Sequence, residues 1–102
     1  MTSKSEKQIE NEIKHYLNEI GAYHVKIHGS SFQKPGIPDI LACYRGHFLG
    51  LEVKNETGRP SQAQLIHIDN INNAEGIARI VRSVEDVQAI IQSIDKLHDT
   101  AL

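Results

Sequence analysis

The sequence predicts an α/β sandwich, a mixed four-stranded sheet with helices on both faces. Amphipathic helical patterns lie near both ends of the chain, three short strand-like segments follow one another between residues 22 and 54, and a helix separates them from a fourth. A strand–helix–strand connection after an antiparallel hairpin gives a sheet with both parallel and antiparallel neighbours. With 102 residues, the chain is long enough for one such domain, residues 1–102, and too short for two.

The first helix is predicted by apolar residues that recur every three or four positions: Ile9, Ile13, Tyr16, Leu17 and Ile20. Gly21 follows and ends the helix. The next segment, "AYHVKIHG", alternates apolar and polar residues, which predicts a strand ending at Gly29. We expect its core-facing side chains to be Tyr23, Val25 and Ile27. The segment "GSSFQKPGIP" has no periodicity and is predicted to be a loop.

The second and third strands are predicted to form a hairpin. Strand two runs from Asp39 to Tyr44, the chain turns at Arg45 and Gly46, and strand three continues to Lys54. The third strand is nearly all apolar, so we expect it in the centre of the sheet. Cys43 is the single cysteine and lies in an apolar strand, so we expect a buried free thiol.

Two serines mark the remaining helices. Ser61 precedes a helix over residues 62–73, and Gln64 stands three residues later, the spacing of a capping box. After Gly76, "IARIVRS" is a short fourth strand, and Ser83 caps a last helix that runs to about Leu97. The predicted element order is α-β-β-β-α-β-α.

Two acids meet at one end of the predicted hairpin. Asp39 follows the rigid Pro38, and the turn sets a register that places Asp39 opposite Glu52. Neighbouring carboxylates repel each other unless a divalent cation lies between them, and oxygen ligands of this kind suit Mg²⁺ or Mn²⁺. The backbone carbonyl of Val53 would add a further ligand. The hairpin therefore predicts a metal site.

Lys54 lies two residues after Glu52 and so points to the same face of the strand. Its ammonium would partly neutralise the acids, and could orient a water molecule or stabilise charge developing on a phosphate. An exposed edge hairpin with a solvated Glu–Lys pair would contain the same pattern. We favour the metal site because Glu52 and Lys54 interrupt an otherwise apolar strand, "FLGLEV", and because "GIPD" fixes the position of the upstream acid.

Charge and composition exclude some classes of protein. The net charge is −2, so a strong basic bias is missing, although basic residues outnumber acidic ones between positions 24 and 59. One cysteine excludes an intramolecular disulfide, and the six histidines show no paired ligand spacing that would predict a zinc site. Neither a membrane-spanning apolar run nor a signal peptide is seen, and we expect a cytoplasmic protein.

The stretch "GIPDILACYRGHFLGLEVK" resembles the PD-(D/E)XK nucleases and, more narrowly, the stand-alone VRR-NUC domains of phages and bacteria. The resemblance covers nearly the whole chain, and it combines Gly-x-Pro-Asp with Glu-x-Lys. It implies a restriction-endonuclease-like core and metal-dependent hydrolysis of phosphodiester bonds in DNA. Structure-selective or junction-resolving activity is implied as well, with 5′-phosphate and 3′-hydroxyl ends as products.

The resemblance also implies roles for individual residues. Asp39 and Glu52 correspond to the metal ligands, and Lys54 corresponds to the catalytic lysine. Gln64 corresponds to a glutamine of the helix after the hairpin, with Gln62 as an alternative. For an acid on the first helix that could contact the metal, Glu6 is preferred and Glu10 is the alternative; Glu6 would hold a second ion or an outer-sphere water.

Further residues are candidates for contacts with DNA. Ser30, Ser31 and Lys34 lie in the loop before the metal corner, and Arg59 and Lys26 are additional phosphate contacts. The expected partner is branched DNA, most simply a four-way junction. A homodimer is expected because a chain of this size gains burial by pairing with itself, and two sites related by a two-fold axis would cut two strands. The alternatives are an inactive nucleic-acid-binding or assembly module of the same fold, or an enzyme acting on RNA or nucleotides.

Overall fold

The computed structural model describes residues 3–29 and 34–100. Seven elements follow in the predicted order: α1 (Glu6–Glu19), β1 (Tyr23–Lys26), β2 (Ile40–Tyr44), β3 (His47–Val53), α2 (Gln62–Asn73), β4 (Ile77–Val81) and α3 (Val84–Thr100). The first strand is shorter than predicted and the last helix is slightly longer. None of the helices in these two ranges is long and apolar enough to cross a membrane.

The four strands form one mixed sheet in the order β1-β2-β3-β4. The pairs β1–β2 and β2–β3 are antiparallel, whereas β3 and β4 are parallel and are connected through α2. A two-residue turn joins β2 to β3, with positive φ at Arg45 (48°) and Gly46 (82°), the turn geometry that matches strand twist. The predicted mixed sheet and the central position of β3 are confirmed.

The hydrophobic core lies between the sheet and the pair α1 and α3. It includes residues from both helices and from the facing sides of β2, β3 and β4: Ile9, Ile13, Leu17, Ile40, Ala42, Leu49, Leu51, Val53, Val81, Val87, Ile91 and Ile94. Burying one Ile or Leu side chain stabilises the fold by roughly 1.5–3 kcal/mol. This layer therefore accounts for most of the apolar burial and fixes the sheet against α1.

Helix α2 packs on the opposite face of the sheet, over β3 and β4. Gly50 permits this approach, because a Cβ on it would lie 2.9 Å from Cδ1 of Ile71. No residue of α2 is fully buried. The predicted capping box starts α2, where the Ser61 hydroxyl accepts a hydrogen bond from the Gln64 backbone N–H. At the start of α3, the Ser83 hydroxyl accepts one from the Asp86 backbone N–H, as predicted for a cap.

The prediction that Tyr23 and Val25 face the core is wrong. Tyr23 is 71% exposed and Val25 is 38% exposed, while Lys26 on the other side of β1 reaches under α1 to Glu10. The alternation in "AYHVKIHG" shows that the two sides of the strand differ. It does not show which side a helix covers, and here α1 covers the polar side.

Cys43 is exposed, so the prediction of a buried thiol is also wrong. It pairs with Tyr23 across β1 and β2, on the side of the sheet opposite the core. A shallow apolar groove runs over this region. We call it the open sheet face and define it by Tyr23, Val25, Leu41, Cys43 and Phe48.

Candidate active site

Asp39 and Glu52 meet at the end of the β2–β3 hairpin. Ile40 pairs with Leu51, so one further step along the register places Asp39 opposite Glu52. The carboxylate of Asp39 accepts a hydrogen bond of 2.8 Å from the backbone N–H of Val53. Each acid is therefore held by a strand end, and the two carboxyl groups face each other.

Glu52 is almost fully buried, with 1% of its surface exposed. Burial, followed by the charge of Asp39 and a hydrogen bond with it, raises the pKa of Glu52 to about 8, although the ammonium of Lys54 acts in the opposite direction. The Oε1 atom has no hydrogen-bond partner among the described residues. An unsatisfied buried oxygen beside a second carboxylate is the environment that a bound cation would stabilise.

Lys54 lies against Glu52. Its Nζ lies 3.5 Å from Oε2 of Glu52, and the side chain is only 13% exposed. The backbone N–H of Lys54 donates to the carbonyl of Val81 on β4 at 3.0 Å, which fixes the residue beyond the end of β3. The lysine is thus held against the acid pair rather than extended into solvent.

Helix α1 contributes Glu10, which is 7% exposed. Its carboxylate lies 2.9 Å from Nζ of Lys26, and the same Nζ lies 3.6 Å from Oδ1 of Asp39. Burial raises the pKa of Glu10, but the hydrogen bond and charge of Lys26 together with Lys14 outweigh it, so this pKa is below its ordinary value. Burial lowers the pKa of Lys26, whereas Glu10 and Asp39 raise it above its ordinary value.

Glu6, the preferred acid of the sequence analysis, is exposed at the start of α1. Its carboxylate nevertheless lies near Gly58, in the turn that follows Lys54. A Cβ on Gly58 would lie 2.9 Å from Oε2 of Glu6 and 3.3 Å from Cδ of Lys54. The structure therefore places the Glu6 carboxylate near Gly58, in the turn after Lys54, and links Glu10 to Asp39 through Lys26.

Gln64 makes a structural contact at the start of α2. Its carboxamide oxygen accepts a 2.8 Å hydrogen bond from the N–H of Ser61, which completes the capping box. Gln62, the alternative, is exposed. Gly36 packs against this helix start with φ +89°, and a Cβ there would lie 2.5 Å from the backbone carbon of Ala63. The loop that leads into Asp39 is therefore docked on α2.

The predicted DNA-contacting residues are distributed unevenly. Lys34 is exposed and lines a groove that ends at Asp39. Arg59 is exposed, one residue after Gly58. Ser30 and Ser31 lie outside the described residues. Lys26 is taken up by its two carboxylate partners.

Arg82 belongs to the surroundings of this site although the sequence analysis does not select it. Its Nη1 donates to the carbonyl oxygens of Asn55 at 2.6 Å and Gly58 at 2.9 Å. The side chain of Asn55 in turn accepts from the Gly58 N–H at 2.8 Å. These bonds fix the turn that follows Lys54. Only the parallel pairing of β3 and β4 brings Arg82 here, so no local pattern indicates it.

The residues present fit a divalent cation. Asp39 and Glu52 supply two carboxylates, and the Val53 carbonyl is the third predicted ligand. Among the described residues, no group of three or more His, Cys, Asp and Glu is arranged to hold a metal. An ion here would therefore complete its coordination with water, as Mg²⁺ commonly does.

Comparisons with known proteins place the chain in a family. A solved structure titled "VRR_NUC domain" superposes with a TM-score of 0.71 at 22% identity, over 87% of this chain and 97% of that chain. A second, titled "VRR_NUC domain protein", has a TM-score of 0.73 at 17% identity, over 89% and 88%. These likenesses show that the chain shares its fold with the VRR-NUC structures, as the resemblance in the sequence implied.

The structure of Archaeoglobus fulgidus Hjc, described as a Holliday junction resolvase from an archaeal hyperthermophile, superposes with a TM-score of 0.59 at 17% identity, over 76% of this chain and 67% of that chain. No curated protein matches the sequence. The family model described as archaeal Holliday junction resolvase (Hjc) matches residues 1–101. Because this match spans nearly the whole chain, the protein belongs to the archaeal Holliday junction resolvase family of nucleases.

Proposed function

We propose that this protein is a divalent-metal-dependent, structure-selective endonuclease that hydrolyses phosphodiester bonds in branched DNA, most simply a four-way junction. The observation that carries the proposal is the buried Glu52 beside Asp39, with the Lys54 ammonium 3.5 Å from Glu52. Family membership supports a nuclease, and this group of side chains supports metal-dependent chemistry.

In this proposal Asp39, Glu52 and the Val53 carbonyl hold Mg²⁺ or Mn²⁺. A divalent ion bound there supplies the positive charge that activates a water molecule and offsets the charge developing on the phosphate. Lys54 lies against the ligand Glu52, where its ammonium can orient the attacking water or stabilise the phosphate. Glu6, whose carboxylate lies near Gly58 in the turn after Lys54, would hold an outer-sphere water. Gln64 or Gln62 contacts the phosphate or the water from the start of α2.

DNA would approach along the groove that ends at Asp39. Lys34 lines this groove and is the best-placed phosphate contact among the described residues. Arg59 adds a second positive charge next to the turn after Lys54, and Ser30 and Ser31 are further candidate contacts that the sequence suggests. With a net charge of −2, the chain makes only a few phosphate contacts, so we expect a shallow dependence of affinity on salt.

We further propose that the open sheet face pairs with a second copy of this chain. Tyr23 is 71% exposed and Phe48 is 46% exposed, in a groove lined by apolar surface. Contiguous apolar patches on a soluble chain mark interaction surfaces, and a symmetric dimer buries the same patch on both copies. Such a dimer presents two active sites related by a two-fold axis, which suits paired incision of a four-way junction.

The test is cleavage of labelled four-way junction, flap, duplex and single-stranded DNA with Mg²⁺, with Mn²⁺ or with EDTA. Lys54→Ala is the active-site variant, and Lys96→Ala, which changes an exposed lysine on α3, is the matched control. We expect metal-dependent cutting of the junction, at symmetric positions, that Lys54→Ala abolishes and Lys96→Ala retains. A folded protein that binds junctions but cuts none of them with either metal would instead be an inactive binding module.

A further inference from the structure

We infer that the ammonium of Lys26 occupies the position that a second metal ion would need, so that this site binds a single divalent ion. The inference rests on the proposed metal-dependent function and specifies its cofactor requirement. It assigns Lys26 and Glu10 as positioning residues within the site.

The geometry of Lys26 carries the argument. Its Nζ lies 2.9 Å from Oε1 of Glu10 and 3.6 Å from Oδ1 of Asp39, so one cation bridges a helix carboxylate and a ligand carboxylate. In two-metal nuclease sites the ions stand about 3.5–4 Å apart, joined by a shared carboxylate. Asp39 is the only carboxylate here that faces both Glu52 and α1 among the described residues, and its α1-facing oxygen is paired with an ammonium.

The backbone holds Lys26 in this place. Lys26 pairs with Ile40 across β1 and β2, and the N–H of Ile27 donates to the carbonyl of Asp39 at 2.8 Å. The side chain is 24% exposed and the carboxylate it meets is 9% exposed. The sheet therefore fixes the backbone from which Lys26 reaches Glu10 and Asp39.

The net charge of the site also favours a single metal ion. When ionised, Glu10, Asp39 and Glu52 carry three negative charges, and Lys26 and Lys54 carry two positive charges. One divalent ion already gives the group a net positive charge, and a second ion would add two more charges beside an ammonium.

Two further lysines lie on the outer side of Glu10. Lys14 stands 3.3 Å and Lys7 stands 3.6 Å from its Oε2. The oxygen of Glu10 that does not meet Lys26 is therefore also close to positive charge. The Oε2 atom has no hydrogen-bond partner among the described residues, but a metal ion bound there would meet the ammonium groups of Lys14 and Lys7.

The experiment is titration of the metal-free protein with Mn²⁺, with free Mn²⁺ followed by electron paramagnetic resonance and binding heat followed by calorimetry. We expect one ion per chain in the unmodified protein and two ions per chain in Lys26→Gln. Lys14→Gln, which removes a lysine that also pairs with Glu10 but is not paired with Asp39, is the matched control and is expected to bind one ion. The double variant Lys26→Gln with Glu10→Gln should return to one ion.

Two ions bound by the unmodified protein, or one ion bound by a folded Lys26→Gln, would overturn the inference. Binding of no Mn²⁺ by the unmodified protein would be a different failure, because it would remove the metal-dependent function itself. If Lys26→Gln does not fold, as judged by circular dichroism, Lys26→Met keeps the apolar stem and takes its place. The number of Mn²⁺ ions bound by the unmodified protein tests the single-ion inference even without any variant.

Discussion

Asp39 accepts a 2.8 Å hydrogen bond from the backbone N–H of Val53, so the residue before β2 is tied to the last residue of β3. The same carboxylate thus has two functions: one oxygen closes the hairpin, and the group as a whole faces Glu52 and Lys26. Substitutions can separate these functions, because an amide oxygen accepts a hydrogen bond as a carboxylate does but lacks the charge.

We expect Asp39→Asn to keep the hairpin closed and to lose activity. Loss of the ligand charge should weaken Mn²⁺ binding and lower the rate of junction cleavage by about 10²-fold or more. The melting temperature should change little. Asp39→Ala leaves the buried Val53 N–H without its acceptor and should cost about 1–3 kcal/mol of unfolding free energy. Cleavage by Asp39→Asn at the normal rate would contradict the role of Asp39 as a ligand.

Gly36→Ala should disturb the active site from outside it. A Cβ at this position would lie 2.5 Å from the backbone carbon of Ala63, and φ is +89°, so the loop before Asp39 must move away from α2. We expect a loss of stability of about 1–3 kcal/mol and slower cleavage. Gly29→Ala is the control, since a Cβ there meets nothing within 4 Å. Equal melting temperatures for the two variants would show that the docking of this loop is not required.

Tyr23→Glu should separate the proposed dimer. The substitution places a charge on the open sheet face, where pairing would bury it without a partner. We expect a monomer in sedimentation velocity experiments, and single nicks in place of paired incisions. Leu97→Glu makes a comparable change at an apolar residue on α3 that is 62% exposed, and should not affect assembly. A Tyr23→Glu protein that sediments as the unmodified protein does would place the interface elsewhere.

The far end of the sheet should contribute stability that depends on pH. The Tyr44 hydroxyl donates to Asp95 at 2.7 Å and Arg45 pairs with it at 2.9 Å, with His98 and Asp99 nearby. The hydrogen bonds from Tyr44 and Arg45 hold the pKa of Asp95 below its ordinary value of 3.8.

A carboxyl group whose pKa is lower in the folded than in the unfolded chain stabilises the fold above the unfolded pKa. This stabilisation is lost as the pH falls through the folded pKa. Asp95→Asn should therefore lower the urea midpoint at neutral pH, and the difference from the unmodified protein should shrink in strongly acidic solution. A difference that stays constant with pH would mean that the charge of Asp95 is not involved.

The sequence predicted the features of the site that depend on local geometry. The two-residue turn fixes the hairpin register, so the meeting of Asp39 and Glu52 follows from counting outwards from Arg45 and Gly46. The start of α2 was equally predictable, because a capping box is a local pattern of two residues.

Contacts between distant parts of the chain could not be predicted in this way. The periodicity of the first helix allows both Glu6 and Glu10 to face the site, and it could not show that Glu10 is the acid that pairs with Lys26 under α1. Histidines with no paired spacing in the sequence come together when α3 crosses the sheet, where the Nε2 atoms of His47 and His98 are 3.2 Å apart. Such contacts depend on how the helices pack on the sheet. The spacing of residues in a single sequence does not reveal this packing.

The attachment of Lys54 to β4 has a consequence for the order of folding. The hairpin that carries the two acids can form from neighbouring residues, as hairpins do within microseconds. The backbone of Lys54 bonds to Val81, and Arg82 holds the following turn, so both contacts wait for a parallel strand that the ribosome makes later. A nascent chain released before β4 would therefore hold the acid pair without the anchored lysine, and under the proposed function its catalytic groups would be assembled only when the sheet is complete.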